Sequence, residues 1–85
     1  MDRKDIEEIY GEDEPYLLFA DGFDEAIIGT VYDGGRTRVV YDMEIILEVL
    51  MNRDEMTYED AVDYFEFNVA GSYMGEYTPL YLETS

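Results

Sequence analysis

Cysteine, histidine and tryptophan are absent from this 85-residue sequence, and cations are scarce. Five Lys and Arg stand against 22 Asp and Glu, for a net charge of −17. Without Cys there is no disulfide, no thiol nucleophile and no Cys-based zinc site. Without His, neither Ser-His-Asp nor Cys-His chemistry is available. Five scattered cations cannot neutralise a run of phosphates, which excludes direct nucleic-acid binding through a basic surface. No apolar run approaches the roughly 18 residues of a membrane span. Anionic lipid would be repelled by the acid excess. The segment Met1–Glu8 carries no apolar stretch of the signal-peptide type, so a cytoplasmic protein is expected.

The chain is 47% hydrophobic and 15% aromatic, with nine Tyr, four Phe and five Met. An acidic disordered tail would lack that material. One acidic folded domain spanning residues 1–85 is expected, with a small core and modest stability. Repulsion among its carboxylates lowers that stability further.

Hydrophobic spacing organises the domain. Ile6, Ile9 and Tyr10 predict a short amphipathic helix over 2–10, stopped at Gly11. The polar segment 11–15 breaks the chain. The continuous apolar run Tyr16-Leu17-Leu18-Phe19-Ala20 predicts a central strand, and 21–24 a turn. Residues 26–32 predict a second strand, with a helical turn capped by Asp24 as the competing reading for 24–28. Asp33-Gly34-Gly35-Arg36 reads as a hairpin turn leading to a strand over 37–41. Asp42 caps a helix over 43–53, in which Met43, Ile46, Leu47 and Leu50 share a face. Thr57 and Asp60 form a capping box for a helix over about 58–69, packed through Ala61, Val62, Phe65 and Val69 and ended by Gly71. After an irregular stretch over 72–78, Pro79–Leu82 predicts a final strand. The expected fold is α+β: a small, mostly antiparallel sheet of three to four strands with a helix pair on one face.

Catalytic residues, a metal site and cofactors are not expected. Carboxylate pairs are too common here to be informative, and so short a chain rarely builds the cleft that glycosidase chemistry needs. Asp13, Asp21, Asp24 and Glu25 do not follow the spacing of a calcium loop, and turn or capping roles account for them. Gly34-Gly35 lacks the spacing and the Lys-Ser/Thr of a phosphate loop.

The helical acids are more informative. Glu44 and Glu48, then Glu59, Asp63 and Glu66, lie one turn apart with no Lys or Arg to offset them. Nine of the 22 acids fall between Asp42 and Glu66, against Arg53 alone. An ordinary solvated face mixes both signs. Seventeen charges equal those on about 29 Å of duplex DNA, roughly the diameter of a compact domain of this size. The tyrosines exceed what so small a core can bury. Tyr73, Met74 and Tyr77, in the irregular segment, are candidate contact residues.

Four stretches resemble, together, a family of small proteins from bacteriophages, prophages and metagenomes. They are Asp21–Gly29, Val39–Asp42, Met56–Gly71 and Gly75–Pro79, with 68–79 the most specific part. Family members often carry a longer loop where this chain has Gly34-Gly35. The resemblance covers roughly residues 16–82 and implies a phage-type context, in the cytoplasm of a host cell. It brings no catalytic residues with it.

The expectation that follows is a non-enzymatic binder that occupies the basic groove of a host nucleic-acid-binding protein. In that DNA-mimic-like inhibitor Glu44, Glu48, Glu55, Glu59, Asp63 and Glu66 would stand in for phosphates. The alternative is a homo-oligomeric accessory module, a homodimer for instance, whose acids serve only solubility or salt adaptation. An enzyme ranks last.

Overall fold

The computed structural model describes residues 3–10, 17–20, 22–71, 75 and 77–83. Helix α1 (Arg3–Tyr10) seats Ile6 fully in the core. Strand β1 (Ile27–Asp33) and strand β2 (Arg36–Asp42) form the antiparallel hairpin expected from Asp33-Gly34-Gly35-Arg36. Asp33 pairs with Arg36, and both glycines take positive φ, 62° and 82°, as a two-residue turn between twisted strands requires. Strand β2 alternates cleanly. Thr37, Val39 and Tyr41 are buried, while Arg36, Arg38, Val40 and Asp42 are half-buried. A bulge between Ile27 and Gly29 breaks the register at the start of β1.

Asp42 ends β2 and caps helix α2 (Met43–Arg53), its carboxylate accepting from the backbone N–H of Glu44 at 2.9 Å and of Ile45 at 3.3 Å. Helix α2 buries Ile46, Leu47, Val49 and Leu50. Thr57 caps helix α3 (Tyr58–Tyr64), its hydroxyl accepting from the Asp60 N–H at 3.2 Å. Ala61, Phe65 and Val69 turn into the core and Val62 packs against it, as their spacing predicts.

Four expectations need correction. Among the described residues the sheet has three strands in the order β1-β2-β3, and it is mixed rather than mostly antiparallel. Strand β3 (Leu80–Leu82) runs parallel to β2, with Val40 opposite Leu80 and Tyr41 opposite Tyr81. The chain leaves β2 into helices and returns to the sheet only afterwards, a crossover that lays the next strand parallel. Second, Leu17–Ala20 form no strand; Tyr16 lies outside the described residues. Leu17, Phe19 and Ala20 are apolar because they pack on the core, and the Ala20 N–H donates to the Tyr41 hydroxyl at 2.7 Å instead of to a ladder.

Third, a 3₁₀ turn occupies Asp24–Ala26, and Phe23 rather than Asp24 takes its cap position, with no side-chain cap bond. The competing helical reading of that stretch is thus correct for one turn. Fourth, the last helix stays α only to Tyr64 and continues as a π-helical turn over Phe65–Ala70. Gly71 ends it, as expected, at a position with no room for a side chain: a Cβ there would lie 2.6 Å from the Glu66 carbonyl oxygen.

An aromatic cluster joins these parts. The Tyr41 and Tyr81 rings stack at 5.7 Å, and Tyr81 meets Phe65 edge-on at 5.2 Å. Strands β2 and β3 and the first residue of the π turn are therefore one packed unit. The Cα trace extends 39 × 22 × 21 Å with a radius of gyration of 13.0 Å, longer than the round domain expected from chain length.

Candidate acid–aromatic helix face

The six candidate acids do not form one stripe. Helix α2 is wrapped by the core, so few of its positions reach water. Glu44, in its first turn, is half-buried. Glu48 is exposed, but it lines a recess of about 170 Å³ shared with Glu25, Ile45 and Asn52, on the side of the 3₁₀ turn. Helix α3 and the π turn lie at the periphery. Glu59, Asp63 and Glu66 are all exposed there, and so is Asp60, which the sequence reading left out of the site. Glu55 precedes them in the turn between the helices. Its φ of 57° is left-handed, a conformation in which a side chain costs energy, and its carboxylate is exposed.

The one cation of this region is spent on structure. Arg53 donates to the Gly22 carbonyl at 2.7 Å, forms two hydrogen bonds of 3.1 Å with the Asp54 carboxylate and lies 5.3 Å from the Phe23 ring centroid. The hydrogen bonds with Arg53 hold the Asp54 carboxyl below the usual carboxylate range and raise the guanidinium. Arg53 thus ties the end of α2 to the loop before β1. No Lys or Arg occurs between Tyr58 and Ala70.

Three aromatic residues share this acidic element: Tyr58 is 56% exposed, Tyr64 40% and Phe67 77%. The sequence reading did not single them out. Its own helical assignment held the signal for two of them, since Tyr64 and Phe67 fall off the face defined by Ala61, Phe65 and Val69. Of the contact residues expected in the irregular segment, Tyr73 and Met74 lie outside the described residues. Tyr77 is half-buried in a turn in which Thr78 returns two hydrogen bonds to the Gly75 carbonyl, from its N–H at 3.2 Å and its hydroxyl at 2.6 Å.

An open cleft of about 460 Å³ lies between β3 and the π turn, lined by Arg38, Met43, Ala70, Leu80 and Glu83 among others. Arg38 spends its Nε–H on the Thr78 carbonyl at 2.8 Å. Among the described residues, no group of three or more carboxylates is gathered as a metal site would require, and no helix is long and apolar enough to cross a membrane. Asp13 and Asp21, two of the acids weighed as cation ligands, lie outside the described residues.

Fold and face together define a small acidic α+β domain that presents carboxylates and aromatic rings on one peripheral helix. No family model, curated protein or solved structure matches the chain.

Proposed function

We propose that this protein is a non-enzymatic binder whose acidic helix face occupies the basic, nucleic-acid-binding surface of another protein, in the manner of a DNA-mimic inhibitor. The resemblance to phage proteins makes a host protein in the host cytoplasm the natural target. One observation carries the reading: Glu59, Asp60, Asp63 and Glu66 stand exposed on an element without a single cation.

The magnitudes are compatible with it. Glu59 and Asp63, both on α3, lie about 6 Å apart along the axis, given an α-helical rise of about 1.5 Å per residue. Phosphates along a DNA strand repeat at about 3.4 Å. Over the 39 Å long axis, a net charge of −17 averages one charge per about 2.3 Å, against about 1.7 Å for the duplex. The local spacing and the whole-molecule density are both of the order of DNA.

The test is inhibition of purified nucleic-acid-binding enzymes at low salt, with and without competing DNA. The expected result is competitive inhibition that fades steeply as salt rises and that weakens at least tenfold in the Glu59→Lys/Asp63→Lys variant. Absence of binding at low salt, or inhibition unchanged by the charge reversal, overturns the proposal.

A specific observation favours a second reading, self-association. The β1–β2 hairpin exposes Ile28, Val31 and Tyr32, and it carries Arg36 and Arg38 against Asp33 alone before the capping Asp42. Two copies meeting there would avoid carboxylate repulsion. A dimer in sedimentation whose stability does not depend on salt would support this reading.

A further inference from the structure

We infer that Phe67 is an apolar anchor of the binding face, and that the partner's basic surface carries an apolar pocket to receive it. The inference rests on the proposed electrostatic reading and specifies its partner. Phe67 is the most exposed large apolar side chain among the described residues. Leaving a Phe ring in water forgoes the energy of burying it, and a helix surface accepts a polar residue at no such loss. Its position is enforced by the backbone. Phe65 and Val69, two residues to either side, are buried, and Phe65 is clamped against Tyr81. Phe67 cannot turn inward without uprooting both.

The enforcing element is itself unusual. A π turn gives up normal α-helical hydrogen bonding, and such turns concentrate at functional sites. This one is six residues long, and the close approach of Gly71 to the Glu66 carbonyl leaves no room for a side chain at its end.

Charge names the occupant. Every charged side chain on α3 and the π turn is a carboxylate: Glu59, Asp60, Asp63 and Glu66. A nucleic acid or an anionic membrane would be repelled. The same face of a second copy would be repelled as well. What fits is a protein surface that is cationic around an apolar recess, with Phe67 filling the recess and Tyr64 at its rim. Aromatic side chains set in such pockets are the usual centres of binding energy, while rim charges mostly set association rate and salt dependence. Association would then keep a component that salt does not screen.

Two synthetic helical peptides test this, one rich in Lys and Arg with a stripe of Leu, the other with Ala in place of every Leu. Their affinities for the wild-type chain are measured at about 0.05 M and about 0.5 M salt, where screening lengths differ severalfold. The Leu peptide should bind at least about tenfold more tightly at both salts. Phe67→Ala should remove that advantage and leave Ala-peptide binding unchanged, Phe67→Leu should restore part of it, and Glu59→Lys/Asp63→Lys should weaken both peptides alike. Circular dichroism melting of each variant confirms that it folds. If the wild-type chain binds both peptides equally, or if Phe67→Ala keeps the preference for Leu, the anchor is refuted and the electrostatic reading stands. If neither peptide binds at low salt, both readings fall. A wild-type dimer that dissociates on Phe67→Ala makes a second copy the occupant and also refutes the inference.

Discussion

Tyr41 is fully buried, and its hydroxyl accepts the Ala20 N–H at 2.7 Å. That bond fixes a segment that belongs to no strand. Tyr41→Phe keeps the ring and its stacking on Tyr81 but leaves the amide without this acceptor, so a loss of about 1–3 kcal/mol is expected in chemical denaturation. Tyr81 makes a second prediction. Burial pushes its hydroxyl pKa up. The unfolded chain then gives up this proton more easily than the folded one. The contribution of Tyr81 to stability is therefore intact below the ordinary Tyr value of about 10 and is lost as pH rises through the higher folded value. Melting temperatures followed across that alkaline range should fall less for Tyr81→Phe than for the wild-type chain.

The helix ending in the π turn shows how local rules and packing divide the work at the scale of one element. Thr57, the 3.6-residue apolar spacing and Gly71 mark its start, buried face and end. All three are properties of short windows of sequence. The switch from α to π at Phe65 is not; it falls at the residue whose ring packs edge-on against Tyr81, from the far end of the chain. Gly71→Ala should cost about 1–3 kcal/mol, since the new methyl group would press on the Glu66 carbonyl and the packed turn must shift to admit it. Thermal melting measures the loss. Nuclear magnetic resonance shifts should change along Phe65–Ala70 and little in the β1–β2 hairpin. A neutral Gly71→Ala would mean that the turn relaxes freely and is no rigid platform for Phe67.

Across the whole molecule the acid excess opposes folding. Net charge this far from zero destabilises the compact state by self-repulsion, and screening over about 10 Å at 0.1 M salt relieves it. The melting temperature should rise between low and moderate salt. A flat or falling trend would show that the surface does not repel itself strongly, and would weaken the case for a dense acidic face.

Much of this protein was legible in its sequence because it follows from local chemistry. The α+β class, the Gly34-Gly35 hairpin, the Asp42 and Thr57 caps, and the inward Ala61, Phe65 and Val69 all follow from spacing and turn preferences within a few residues. So does the acid excess, which excluded whole classes of function at the outset. Only the tertiary structure decided the rest. Leu17–Ala20 reads as a strand until the core supplies another reason for its apolarity. β3 reads as part of a mostly antiparallel sheet until the helices between it and β2 bring the chain back parallel to β2. Glu44 and Glu48 look equivalent to Glu59 and Asp63 in spacing, but α2 is enclosed by the core and α3 is not. Sequence determines which residues can line a helix face; solvent exposure of that face depends on elements distant in the chain, and that choice left Phe67 among the exposed acids.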